Sequence, residues 1–324
     1  MDKLDYIKAP IADQLERFEE YFKTAMKSDN VLLNKITHYI IRRKGKQMRP
    51  LFVFLSSQAC GGIHDSTYTA ASLIELLHTA TLVHDDVVDV ANVRRGFFSI
   101  NALWKNKIAV LVGDFLLSRG LLMSVEHGEF QLLKIVSRAV QEMSEGELLQ
   151  QEKSRLLDIT EEVYYNIIQQ KTASLIAACC QSGAASSGAE SDLQEAMYQF
   201  GLNVGMAFQI KDDLLDYGFG EKIGKPIGID IKERKLTLPL IYVLQRASRS
   251  DRNWFLQTIK RYNTDGPRVK ELVKRVIEAG GIDYAVERME FYRNAALQSL
   301  SIIPETPSKL ALIDLVHYTI DRKK

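Results

Sequence analysis

Two sets of aspartates carry the strongest chemical signal in this sequence. The segment 69–90, TAASLIELLHTATLVHDDVVDV, is apolar on nearly every side, yet it holds Asp85, Asp86 and Asp89. Carboxylates in such surroundings need cations or strong donors, because burying an unpaired charge is costly. On a helix Asp85 and Asp89 stand one turn apart on one face, and Asp86 sits about 100° round. The same spacing returns in GLNVGMAFQIKDDLLDY as Asp212, Asp213 and Asp216, with Gly205 and Gln209 on the same stripe. Oxygen ligands without histidine or cysteine suit magnesium, which favours sites where phosphate oxygens complete its octahedron. A single DDxxD reads more readily as a solvated helix end. Two copies, each closing a long apolar helix and followed by a glycine-bearing loop, point to a metal site.

Carboxylates alone do not bind an anionic substrate, and the sequence supplies the complement. Lys46 and Arg49 lie in GKQMRP at a helix start, where free backbone N–H groups also favour anions. Arg94 and Arg95 follow the first cluster, and arginine pairs bidentately with phosphate oxygens. Lys171 and Thr172 sit in QQKTASLIAACC, where Lys171 is the only charge between Glu162 and Glu190. Lys225 and Lys235 bracket the loop after the second cluster, while Lys232 and Arg234 read as surface charges. His78 lies two turns before Asp85 on the same stripe, with Thr81 between them. It reads either as a satisfied core histidine or as an anion donor. Each cation alone is an ordinary surface charge; together they describe a diphosphate site.

Helices must position these residues. Apolar spacing of three and four predicts helices over 11–27, 31–43, 48–60, 66–91, 101–125, 129–154 and 160–181. More follow over 190–217, 236–247, 252–262, 267–279, 282–299 and 307–321. Asp65 is the expected N-cap of the fourth, and Pro50 suits a first helical turn. No stretch alternates with period two for long, so no sheet is expected. No linker separates domains, which gives one all-α bundle over residues 1–324.

Lys+Arg total 42 against 41 Asp+Glu, so the basic excess of a nucleic-acid binder is missing. Cys60, Cys179 and Cys180 lie in apolar runs without zinc or disulfide spacing and read as reduced core residues. Without a signal-like start, and with no apolar run judged to approach the ~18 residues of a membrane span, the expectation is a soluble cytoplasmic protein.

At this point GKQMRP, LLHTATLVHDDVVDVANVRRG, QQKTA, FQIKDDLLD and GKPIGIDIKERKLTLP are read together. In that order, over nearly the whole chain, they resemble the trans-type polyprenyl diphosphate synthases. The resemblance implies an all-α bundle of the isoprenoid synthase type around a deep central cavity, normally a homodimer. It implies magnesium on Asp85, Asp89 and Asp212, with Asp86, Asp213 and Asp216 as weaker or outer ligands. It assigns isopentenyl diphosphate to Lys46, Arg49, His78 and Arg95. It assigns the allylic diphosphate to Arg94, Lys171, Thr172, Gln209, Lys225 and Lys235. The implied reaction ionises the allylic diphosphate, adds isopentenyl diphosphate to the cation, and returns a proton to the released diphosphate. The Lys171 backbone oxygen and the Thr172 hydroxyl are expected to steady the cation.

Short-chain members of that family carry bulky aromatics four or five residues before the first aspartate. Here Thr81 and Ala80 stand there, which favours a longer product of about six to ten isoprene units. Leu77 and Ile74 come next, roughly 12 and 16 Å from Asp85 along the axis, and should narrow the channel without closing it. Phe52, Phe54, Met143 and Leu149 are candidate floors. The competing readings are a short-chain synthase, the catalytic half of a heteromer, a class I terpene cyclase and a structural bundle. A cyclase would replace the second aspartate cluster and needs no second diphosphate pocket, so DDLLD, GKQMR and Arg95 speak against it. Stable membrane insertion is not expected; transient contact during product release is.

Overall fold

The computed structural model describes residues 3–42, 45–94, 97–219 and 228–320, with the backbone alone at Arg94. In chain order the longer helices begin with α1 (Lys3–Lys8), α2 (Ala12–Ala25), α3 (Val31–Arg42), α4 (Met48–Cys60), α5 (Asp65–Val88) and α6 (Ile100–Glu126). Next come α7 (Phe130–Leu156), α8 (Glu161–Ile168), α9 (Ser174–Ser186), α10 (Ser191–Leu215) and α11 (Ile229–Lys232). The chain closes with α12 (Leu238–Arg246), α13 (Arg249–Arg261), α14 (Gly266–Glu278), α15 (Gly281–Ser299) and α16 (Pro307–Ile320). The fold is all-α, as the apolar spacing predicts. Its residues form two compact units: Met1–Val140, Ala178–Tyr198 and Ile302–Leu312, and Gln141–Ala177, Gln199–Ser301 and Ile313–Lys324.

In the first unit α5 packs along α6 and against α4. Leu73, Ile74, Leu76, Leu77, Ala80 and Val83 of α5 are buried. Phe54 of α4 meets Phe18 and Tyr68 edge-on at centroid distances of 5.6 and 5.1 Å. Ala109, Val112, Leu116 and Met123 bury one side of α6, where Gly113 and Gly120 admit His84 and Leu73. A Cβ at Gly113 would lie 2.1 Å from His84 Nε2. Cys179 and Cys180 are buried and Cys60 half-buried, all unpaired by disulfides.

Three expectations need correction here. The N-cap of α5 is His64, whose N–H is taken by Thr67 Oγ1 at 3.2 Å, so Asp65 belongs to the first turn. A short hairpin, β1 (Val93–Arg94) and β2 (Phe97–Phe98), pairs antiparallel with Val93 opposite Phe98. Strands of two residues are too short to alternate visibly. Finally, α6 contains an 18-residue window of mean hydropathy 1.8, long and apolar enough by composition to cross a membrane. Asp114 and Arg119 interrupt that run when it is read as sequence.

In the second unit the helix expected over 160–181 is interrupted by a π-helical turn, Gln169–Ala173. Such turns insert one residue into the ladder and cluster at functional sites. Gly205 of α10 and Gly146 of α7 let both helices close on it. A Cβ at Gly205 would lie 2.4 Å from Ala173 Cα, and one at Gly146 2.8 Å from the Lys171 nitrogen. Helix α10 stops at Leu215, short of the expected 217. Farther on, Tyr242 of α12 stacks on Tyr284 of α15 at 4.3 Å, and Tyr284 donates to Glu161 of α8.

Candidate active site

The end of α5 carries the first cluster with the angular pattern expected of it. Asp85 and Asp89 are exposed, while Asp86 is only 5% exposed and its carbonyl accepts from Asn101 Nδ2 at 3.1 Å. Asp86 shares the lining of a cavity of about 210 Å³ with Lys46 and Arg49. Gln47, the N-cap of α4, has a left-handed backbone (φ 53°), which turns the chain between those two cations. Arg49 Nε donates to Glu75 Oε1 at 2.7 Å, and both side chains are largely buried. Thr79, Phe97 and Phe98 complete much of the wall.

His78 lies half-buried on α5. Thr81 donates its hydroxyl to the His78 carbonyl at 2.8 Å, so that hydroxyl is committed to the helix itself. Ala80, Leu77 and Ile74 are core residues. Arg95 and the Arg94 side chain lie outside the described residues.

Around the second cluster, residues distant in sequence come together. Lys171, Thr172, Gln209, Asp212, Asp213 and Lys235 line one cavity of about 150 Å³. Tyr164, Gln150 and Asp230 join them. Lys171 Nζ donates to Gln150 Oε1 at 2.5 Å and pairs with Glu147. Lys235 pairs with Glu233 at 2.5 Å. Asp213 accepts from Tyr164 Oη at 2.7 Å and from Gln209 Nε2 at 2.9 Å, and Thr172 Oγ1 donates to Gln209 Oε1 at 2.9 Å.

Burial pushes the Asp213 carboxyl up to about 7, against the two donors that hold it down. Asp230 is pushed up to about 6 by burial and by facing Asp216. Asp216 departs from its expected position, because α10 ends before it. Its carboxylate instead accepts the backbone N–H groups of Ile229 at 2.8 Å and Asp230 at 3.2 Å, anchoring the start of α11. Lys225 lies outside the described residues.

Among the described residues no three His, Cys, Asp or Glu side chains converge tightly enough to hold a metal unaided. The donors that do gather are all carboxylates, and their mutual repulsion is what a hard cation would relieve. Glu75, Tyr164, Gln150, Glu147 and Asp230 were not singled out from the sequence. Glu75 did carry a signal, as the only acid in the apolar run between Ser66 and His84.

A helical fold and two aspartate clusters, each with cations beside it, define an all-α transferase of the isoprenoid synthase type. The chain belongs to the polyprenyl synthetase family, whose model matches residues 30–276. The octaprenyl diphosphate synthase of Escherichia coli (strain K12) is 36% identical over 304 residues, spanning 92% of this chain and 93% of that one. The crystal structure of a decaprenyl diphosphate synthase from Rhodobacter capsulatus superposes with a TM-score of 0.93 at 31% identity, covering 98% of each chain. A polyprenyl synthase from Caulobacter crescentus CB15, crystallised with calcium and isoprenyl diphosphate, gives 0.88 at 33% identity, covering 99% of this chain and 98% of that one.

Proposed function

We propose that this chain condenses isopentenyl diphosphate with an allylic diphosphate, farnesyl or geranyl, to give a long-chain all-trans polyprenyl diphosphate of about six to ten isoprene units. The observation that carries the reading is the cavity shared by Lys171, Thr172, Gln209, Asp212, Asp213 and Lys235. Cations beside clustered carboxylates are what an allylic diphosphate and its counter-ion need. Magnesium fits Asp85, Asp89 and Asp212, with Asp86 and Asp213 behind them, and when bound it would neutralise charge on the departing diphosphate. Asp216 is the weakest of the six, given its bonds to α11.

In this reading the second aspartate cluster addresses the allylic diphosphate. Lys171 and Lys235, with Arg94 and Lys225, hold its oxygens as the carbon–oxygen bond breaks. Lys46, Arg49, His78 and Arg95 hold isopentenyl diphosphate with its double bond towards the cation. The new carbon–carbon bond leaves a cation that loses its proton to the released diphosphate.

Ala80 and Thr81 leave room beneath Asp85 for the growing tail, with Leu77 and Ile74 farther down. The 324 residues then act as one functional domain, in the cytoplasm, touching membrane only as product leaves. A homodimer is supported by α6: Val110, Leu111, Leu121, Leu122 and Val125 are 37–55% exposed and fall within about 120° of its circumference.

The purified chain is incubated with magnesium, isopentenyl diphosphate and farnesyl diphosphate, and the products are sized. Long polyprenyl products are expected. No elongation by the chain alone, and none in cell extract, rejects the reading; activity only after extract is added identifies a partner subunit.

A further inference from the structure

A carboxylate in the wall of an anion site works against the ligand unless it has another task. Glu75 is the only acid on α5 between Asp65 and Asp85, and it lines the same cavity as Lys46 and Arg49. With Thr79, Leu82 and Asp86 it forms one stripe of that helix, at helical spacing. Glu75 stands roughly 16 Å from Asp86 along the axis, too far to join the aspartate cluster. Its side chain is 13% exposed, and Oε1 accepts from Arg49 Nε at 2.7 Å. Among the described residues Glu75 is the one ion-pair partner of Arg49.

The edge of the guanidinium that Glu75 takes matters. A carboxylate on Nε fixes the plane of the group and leaves the terminal nitrogens, which form a fork matched to phosphate oxygens. A long side chain gives up rotamer freedom when it grips a ligand, and one already held gives up little. We propose that Glu75 is a positioning residue, holding Arg49 by its Nε edge so that the terminal nitrogens meet the diphosphate of isopentenyl diphosphate already oriented. This rests on the function proposed above, which gives Arg49 that ligand. The repulsion from one more negative charge in the wall is offset by a fixed fork in place of a swinging cation. In this arrangement Glu75 touches no substrate atom.

The test separates reach from charge. Glu75→Gln keeps the length and an accepting oxygen without the charge; Glu75→Asp keeps the charge and withdraws it by one methylene. KM for both substrates and kcat are measured on the full chain at saturating magnesium. Glu75→Gln is expected to leave KM for isopentenyl diphosphate within about threefold of wild type, and Glu75→Asp to raise it about tenfold. KM for the allylic diphosphate, and kcat, should move by less than about twofold in both. Arg49→Lys has no Nε edge to hold, so adding Glu75→Asp to it should raise KM for isopentenyl diphosphate no further. A larger rise for Glu75→Gln than for Glu75→Asp overturns the proposal, because the pair then acts through charge. An unchanged KM in Glu75→Asp, an equal rise in both KM values, or additivity with Arg49→Lys overturns it too. Should Glu75→Asp melt too early to assay, the other single variants decide. Glu75→Gln near wild type with Arg49→Lys raised at least about tenfold is expected, and either result reversed overturns the proposal. A wild-type chain that elongates nothing removes the underlying function; an active wild type with unmoved KM values in the variants removes the positioning role alone.

Discussion

Asp213 is 6% exposed, and burial raises its carboxyl to about 7 although Tyr164 and Gln209 both donate to it. A carboxyl with a folded-state pKa above its unfolded value favours the folded chain at low pH, where both states hold the proton. That contribution is fully present below about 4 and is lost as pH rises through about 7. The metal-free chain should therefore carry a penalty at pH 8 that Asp213→Asn removes, since asparagine has no charge to desolvate. Calorimetry in a chelator is expected to show the variant melting several degrees above wild type at pH 8, at about 2–4 °C per kcal/mol, with no advantage at pH 4. A gap that does not change with pH rejects the assignment. A second residue, Ala80, bears on product length. It is 2% exposed and little more than one turn from Asp85, so Ala80→Phe puts a ring where the tail is proposed to run. The main product should shorten, while overpacking costs about 1–3 kcal/mol of stability. Unchanged product length on a chromatogram rejects that path for the tail.

Among the elements, the π turn at Gln169–Ala173 does the most to set the second site, since it carries both Lys171 and Thr172. Gly205 faces it at a distance that excludes even a methyl group, and the atom met is backbone Cα, which cannot swing aside. Gly205→Ala is expected to cut kcat at least tenfold and cost about 1–3 kcal/mol of stability. Gly266→Ala, where a Cβ would meet nothing within 4 Å, should be silent in both assays. Equal behaviour of the two variants rejects the turn as a positioned element. The turn also marks where sequence reasoning stopped. The helices were legible because spacing of three and four is written into every long segment, and both DDxxD clusters because their spacing is local. Nothing in QQKTA itself departs from ordinary helix; the turn depends on glycines on two other helices. The partners of Asp216 are illegible for a related reason: the stripe it shares with Asp212 exists only if α10 continues, and the N–H groups that claim its carboxylate lie 13 and 14 residues away. Glu75, Tyr164 and Asp230 owe their interest to partners that only the fold supplies.

At the scale of the whole molecule, α6 carries apolar side chains that its own unit leaves uncovered. One side packs on α5, while Val110, Leu111, Leu121, Leu122 and Val125 meet solvent on another. Exposed Asp114 and Ser118 lie on the same arc and divide these residues into two apolar patches, and exposed apolar patches of this kind mark a contact surface. Its helix has the hydropathy of a membrane span, yet the α5 side is already buried against protein, and Asp114 and Arg119 would have to enter lipid. A second copy of the chain meets these constraints better. Two-fold pairing brings the same stripe against itself, so every substitution appears twice and like charges face each other. The wild-type chain is therefore expected to scatter light at twice its own mass. Leu111→Glu with Leu122→Glu should scatter as a monomer, because desolvating four added carboxylates exceeds what the apolar contact returns. The α5 side of the helix is untouched, so the variant should remain folded and helical by circular dichroism. A wild-type monomer, or a dimer that survives both glutamates, removes α6 as the interface. Wild-type sedimentation with neutral lipid vesicles in the absence of substrate, abolished by the same pair, would transfer the stripe from a protein partner to a membrane surface.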